Sequence, residues 1–298
     1  MGFTTVSEYA AADEAGRVWA TSFRKAVASA ATTTNAWSDY TYFAGSPPAN
    51  FYASTPLVAA EVDPSRGIFL PTVSPATQHL NNLRLMTAAS GVTSTANGRQ
   101  RIALCDYLMY YPFIDTDAVG EQQDLDNTLT LPRYESGMVV CVAQSAASTV
   151  GQFTMTYTNQ DGVGGRVSQN TYTFAVAGGG QVVNASGSGA SYNPFVYLQA
   201  GDSGVRSIES VTFTAAGGGL MALVIVKPLL MQFLAQECRR TSSGNLESYG
   251  SCSEFQSIIH AAGAPRIKDG AVIGLLAAGY AGSLASSILA GIIETFWN

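Results

Sequence analysis

Charge is scarce in this chain. Asp, Glu, Lys and Arg make up 12% of its 298 residues, about half the share usual in soluble domains. Positive charge is the scarcer sign: 15 Lys+Arg against 21 Asp+Glu leave a net charge of −6. The longest basic runs are the doublets Arg24-Lys25 and Arg239-Arg240. Phosphate binding needs clustered Lys and Arg, so nucleic acid is not an expected partner. Histidine is almost missing, with His79 and His260 the two examples. The four cysteines, Cys105, Cys141, Cys238 and Cys252, form no C-x-x-C pair, which argues against a thiolate zinc site. They permit three pairings, with Cys238/Cys252 closing the shortest loop, and reduced thiols are the default expectation. Phosphate-loop, dinucleotide-binding and zinc-protease motifs are missing too, so no cofactor is expected.

Two targeting signals are weighed and set aside. Met1 to Thr5 is followed by Glu8, Asp13 and Glu14, without the basic start and apolar core of a secretory leader. Ala271 to Ile293 carries no charge and meets the length rule for a membrane helix. It also holds the Gly270-x-x-x-Gly274 packing spacing. Its middle, Gly279 to Ser283, reads as a turn, however. Two buried strands, Ala271–Ala278 and Ile288–Trp297, account for the same letters, and no membrane is expected as a partner.

What is present points to a folded β protein. The hydrophobic share is 47%, which with few charges excludes wholesale disorder. A surface this poor in charge is covered either by Ser, Thr, Asn and Gln or by neighbouring subunits. Thirty Gly and 11 Pro favour many turns. The helical spacing of Ala15, Val18, Trp19, Ser22, Phe23, Ala26 and Val27 predicts an N-terminal helix starting near Ser7 and stopping at Thr32–Asn35. Its stripe either packs on the chain's own core or docks on a neighbour, which makes Val18, Trp19 and Phe23 interface candidates. Residues 31–100 read as irregular, broken at Gly45–Pro48, Asp63-Pro64 and Ser74-Pro75, with short strands near Gly67–Leu70 and Leu83–Thr87.

Beyond residue 100 a two-residue period takes over. Phe153, Met155 and Tyr157 alternate with threonines, and so do Tyr172, Phe174 and Val176 with their neighbours. Further strands are predicted at Ile102–Tyr110, Met138–Ala143, Phe195–Leu198, Ser207–Thr214, Leu220–Val226 and Leu229–Leu234. Lys227-Pro228 should fall between the last two or on an edge. Glycine-rich links join them. The predicted fold is mainly β: an antiparallel β-sandwich or jelly-roll-like domain over 101–298, preceded by a helix and an irregular docking arm over 1–100.

Three motifs invite chemistry. Gly201-Asp-Ser-Gly204 has the letters that surround a chymotrypsin-like nucleophile, and His79, Asp106 and Ser203 follow that family's order. The residues around His79 and Val205 do not continue the pattern, so a tight turn is the preferred reading. Asp115, Asp117, Gly120 and Asp126 fall at positions 1, 3, 6 and 12 of a calcium loop, but Val119 stands where position 5 needs an oxygen. A solvated acidic loop is preferred there. His260 has no second ligand at helical spacing.

Several stretches taken together resemble virion proteins of tailed bacteriophages, among the head-associated or capsid-decorating structural proteins. They are Leu131-Pro-Arg-Tyr134 with Gly137; Tyr157-Thr-Asn-Gln160 with Gly162 and Gly165-Arg166; Leu198 to Arg206 leading into Glu209–Thr212; Lys227-Pro-Leu229; Pro265-Arg-Ile-Lys-Asp-Gly270; and the closing Phe296-Trp297. A weaker echo lies in Ala44–Pro56. The resemblance spans about residues 100 to 298. It implies a non-enzymatic cement subunit, assembled in the host cytoplasm onto the outer shell of major capsid protein and located in the virion. It also implies a homo-oligomer, a trimer being the natural arrangement at threefold positions. Two other readings stay open: a tail, fibre or baseplate protein that binds host glycan, and a serine hydrolase built on Gly201–Gly204.

Overall fold

The computed structural model describes residues 5–27, 36–89, 100–176, 178–185, 193–234, 237–240, 246–249, 252–256, 265–279 and 287–297. After the helix α1 (Val6–Glu14), the strands in chain order are β1 Val18–Ala26, β2 Trp37–Asp39, β3 Ala44–Ser46, β4 Ala60–Glu61, β5 Gln78–Ala89, β6 Gln100–Asp115, β7 Gln122–Asp124, β8 Met138–Ala143, β9 Gln152–Asn159 and β10 Arg166–Val167. They continue as β11 Thr171–Thr173, β12 Asn184–Ala185, β13 Val205–Ala215, β14 Leu220–Leu234, β15 Glu237–Arg240, β16 Leu246–Tyr249, β17 Cys252–Gln256, β18 Arg266–Ile267, β19 Ile273–Gly279 and β20 Ser287–Trp297. The protein is mainly β, with antiparallel ladders packed as a sandwich and an N-terminal helix.

Three sheets carry the fold. A central sheet runs β2-β19-β6-β14-β8, a proximal sheet β17-β5-β20-β1-β3, and a distal sheet β12-β11-β9-β13-β7. The long strands β6 and β14 make the central sheet a shared floor. Side chains alternate along β6, and a bulge between Tyr107 and Met109 keeps the later residues on the same face. On that face Ile102 and Leu104 pack against Phe23, Leu80, Leu83, Leu85, Leu289 and Ile293 of the proximal sheet. Farther along, Leu108, Tyr111 and Ile114 pack against Phe153, Met155, Tyr157, Ile208, Val211 and Phe213 of the distal sheet. The opposite face (Ala103, Cys105, Tyr107) buries Trp37, Tyr52, Val62 and Phe195. Each fully buried large apolar side chain contributes about 1.5–3 kcal/mol relative to exposure, so a strand buried on both faces dominates the stability.

The strands predicted at 138–143, 152–158 and 207–214 form, whereas of the period-two segment Tyr172–Val176 only β11 is strand and its faces are reversed, with Thr171 and Thr173 buried and Tyr172 exposed. Elsewhere tertiary pairing overrides the local pattern. The helix is present but short: Thr5 caps it by accepting from the Glu8 amide, and Gly16, at φ +67, ends it with Arg17 N bonded to Ala12 O. The stripe from Val18 onward is strand β1, not helix, because β20 offers it a nine-residue ladder from Val18↔Phe296 to Ala26↔Ile288. The boundary near residue 100 is corrected for the same reason. Strands from before it (β1, β5) and from the C-terminus (β20) build one sheet, so 1–100 is no separate arm. Leu220–Leu234 is one strand. Pro228 sits in it at a register shift, just past Val226, where the β8 ladder stops and no amide is needed on that side. Phe195–Leu198 is buried loop, and Gly67–Leu70 contributes one bridge, Ile68↔Ile273. The Ala271–Trp297 region supplies β19 and β20, in different sheets; no helix among the described residues is long and apolar enough to cross a membrane.

Candidate functional site

The two sandwiches meet along a line on the central sheet, and Asp106 lies on it. Its neighbours on the same face are Leu104 of the proximal core and Leu108 of the distal core. Across the ladders it faces Lys227 and Ile273. The carboxylate is fully buried. Oδ1 accepts from Arg133 Nη2 and from the Val272 amide, both at 2.9 Å, and Oδ2 accepts from Arg133 Nε at 3.2 Å. Burial pushes this carboxyl above the usual range, while the bonds and charge of Arg133 pull it back. Arg133 also donates to Tyr107 O at 2.9 Å and to Glu61 Oε1 at 3.1 Å. Its backbone is left-handed, φ 63, which for a non-glycine costs on the order of 1–3 kcal/mol and is held by these bonds.

Next to this plug stands Tyr134. Lys227 Nζ lies 5.8 Å and Lys268 Nζ 5.6 Å from its ring centroid, both within cation–π range. Burial raises the Tyr134 phenol, with the Asp106 carboxylate adding to it. Two hollows flank Arg133. One, of about 650 Å³, is lined by Leu131, Tyr134, Glu135, Thr158 and Arg206. The other, of about 250 Å³, is lined by Thr77, Arg266, Lys268 and Asp269.

The Gly201–Gly204 turn sits near the first hollow and is held through its aspartate. Asp202 Oδ2 accepts from Tyr157 OH at 2.7 Å and Arg166 Nε at 2.9 Å; Oδ1 accepts from Asn159 Nδ2 at 2.8 Å. The bond from Arg166 leads in holding this carboxyl down at about 2. The Ser203 and Gly204 amides both donate to Gln160 Oε1. This is turn chemistry, as preferred from the sequence. His79, Asp106 and Ser203 are not assembled. His79 is buried on β5 with its ring stacked on Phe296 at 5.5 Å, Asp106 is engaged by Arg133, and Ser203 precedes the distal strand β13.

The calcium candidates are not brought together either. Asp115 Oδ1 accepts from the Asp117 amide and Asp126 Oδ1 from Thr128 N, each within its own loop, while Asp117 Oδ1 accepts from Gly218 N of the β13–β14 connection. Among the described residues no group of three His, Cys, Asp or Glu side chains could hold a metal. Of the interface candidates, Phe23 is in the proximal core and Val18 is half-buried. Trp19 is 40% exposed and meets Phe69 edge-on at 6.1 Å. Cys105 and Cys141 are free and buried, and burial raises both thiols. His260 and the side chains of Cys238 and Cys252 lie outside the described residues.

Sequence reasoning named Arg133, Tyr134 and Lys268 only as parts of a resemblance, and Lys227 besides only as part of a strand break. No local spacing ties residues on three separate segments together. It also missed Asp39, fully buried, which accepts from Tyr107 OH and Thr41 Oγ1 and, closely, from Tyr52 OH.

No family model matches the chain, and a search of curated proteins finds no match. Among solved structures, the infectious bursal disease virus Gx strain aligns at 9% identity over 94% of this chain and 80% of that one, with a TM-score of 0.20. The Gt strain of the same virus aligns at 7% identity over the same shares, with a TM-score of 0.19. Scores this low carry no argument about the fold or role of this chain.

Proposed function

We propose that this chain is a structural protein of a virus particle, and more narrowly a decoration or cement subunit on the outer shell of a tailed-phage head. In this reading it works without catalysis. It is assembled in the host cytoplasm, contacts the major capsid protein and its own copies, a trimer being one arrangement, and engages neither nucleic acid nor a membrane. The observation that carries it is the convergence of the segments that hold the resemblance. Leu131–Tyr134, Lys227-Pro228 and Pro265–Gly270 meet around Arg133 and Tyr134, and Tyr157–Gln160, Gly165-Arg166 and Leu198–Arg206 interlock beside them. A sparsely charged exterior also suits multivalent docking, because little charge must be stripped of water at each contact.

The test is a reconstruction of the parent particle, together with sedimentation of heads made with and without this chain. The chain is expected on the outer head surface, and heads lacking it should break at lower temperature. Heads of unchanged strength would remove the cement role. One observation favours the second reading, a tail or fibre protein that binds glycan: the exposed edge-on pair of Trp19 and Phe69. Density at the tail, with glycan binding lost in Trp19→Ala, would support that reading instead.

A further inference from the structure

Two surfaces of the described chain, far apart, carry charge of opposite sign that no ion pair takes up. At the junction Arg133 is taken by Asp106 and Glu61, and Arg166 by Asp202. Asp269 Oδ1 accepts the Val73 amide at 3.0 Å. Arg206 pairs with Glu135 at 3.8 Å, and of the described cations at the junction Lys227, Lys268 and Arg266 have no ion pair. Lys227 and Lys268 are held against one ring, and Arg266 lines the hollow beside Lys268. Crowding like charges costs free energy that an incoming anion offsets.

The anions are at the far tip of the distal sandwich. There β6 ends at Asp115 opposite Leu220, and β13 ends at Ala215 opposite Gln152. The tip exposes Asp115, Asp117 and Glu121. Its sequence from Ile102 to Pro132, from Ala143 to Gln152 and from Ala215 to Leu220 contains no Lys or Arg. The loop is pre-shaped: the Asp117 amide is bonded to Asp115, and the Gly218 amide to Asp117, each at 2.8 Å. A preformed loop loses little entropy on docking. Asp115 lies nine residues beyond Asp106 on the bulged strand β6, up to about 30 Å away. The tip therefore cannot reach its own junction.

We propose that the junction cleft receives the acidic tip of a second copy of this chain, joining copies head to tail. The inference rests on the reading of the chain as building material and names its partner. Such a contact uses two different surfaces, so it propagates into a ring or an extended array. Arg266 and the two lysines face carboxylates across it, and added salt weakens it.

The experiment is a charge swap on the full-length chain. Lys227→Glu with Lys268→Glu makes one variant, and Asp115→Lys with Asp117→Lys the other; Lys227→Gln with Lys268→Gln serves if the first folds poorly. Sedimentation velocity at low ionic strength should show concentration-dependent association of the parent chain, weakened about tenfold or more in either variant. An equimolar mixture of the two reversed variants should associate again. A parent chain that stays monomeric at low salt overturns the contact, and so does association that neither variant weakens. A mixture that fails to regain association overturns it as well. Particle incorporation is scored separately: a chain found on particles but unable to self-associate defeats this contact alone. A chain missing from particles defeats the proposed function.

Discussion

Arg133 closes over the buried carboxylate of Asp106 at the point where the proximal and distal cores meet, with N–O distances of 2.9 and 3.2 Å. Neither core includes this pair, yet both depend on it. A buried carboxylate without its cation is one of the larger single defects a fold can suffer. Arg133→Ala is therefore expected to lower stability by about 3–5 kcal/mol. The pair as a whole is another matter, because its attraction is set against the cost of stripping water from both ions. Arg133→Met combined with Asp106→Leu should recover most of the loss. Urea unfolding of the two variants checks this; a double variant no more stable than Arg133→Ala would show that the guanidinium acts through its bonds to Tyr107 O and Glu61 instead.

Asp202 gives a pH signature. The bond from Arg166, with help from Asn159 and Tyr157, holds its carboxyl at about 2, below the value of about 3.9 for an unfolded chain. The native state thus binds fewer protons than the unfolded state between these values. The stabilisation is fully present above about pH 4 and is lost as pH falls through about 2. In thermal melts, the advantage of the parent chain over Asp202→Asn should shrink steadily from pH 4 downward. A constant gap over that range would mean the turn does not rely on the ionised form.

Gly274 lies where β19 crosses the buried network around Asp39. A Cβ there would stand 2.4 Å from Thr41 Cγ2 and 2.6 Å from Tyr107 Cε2. Both of those side chains bond the Asp39 carboxylate. Gly274→Ala must push one of them away, so it adds strain and weakens the satisfaction of a buried charge. A loss of about 1–3 kcal/mol is expected, read as a lower urea midpoint. An unchanged midpoint would mean the sheet spreads without disturbing the network.

These relationships separate what was legible in the sequence from what was not. Phe153, Met155 and Tyr157 announced their strand because one face is core and the other is not, which imprints a period of two. Val18–Ala26 gave no such signal: its inward residues include Lys25 as well as Phe23, and its apolar letters happen to fit a helical step. Only the ladder with β20, far along the chain, decides it. Ile102–Tyr110 is apolar on both faces, so the pattern revealed burial but not which sheet covers which half. The site was legible only as short motifs of turn type. Asp106 and Lys227 face each other across β6 and β14, and the segments carrying Arg133 and Lys268 close over them from elsewhere in the chain, so no spacing within one segment encodes the site.

Lys25 is the clearest case of a residue whose placement opposes its chemistry. It points inward from β1, 3% exposed, with Nζ donating to Pro47 O at 2.8 Å and to Thr41 O and Pro48 O at 3.3 Å. Burial pulls the ammonium down to about 8, against an attraction from Asp39. In an unfolded chain the same amine titrates near 10.4. Between these values the unfolded state binds more protons than the native state, so stability rises with pH across that window. The neutral amine keeps two N–H donors for the three carbonyls, and the native bonds can survive the loss of charge. The parent chain should therefore gain stability relative to Lys25→Met as pH rises from 8 to 10, measured as the difference of their unfolding free energies. A difference that stays flat would place the titration of Lys25 outside this range and would make its three carbonyls, rather than its burial, the governing influence.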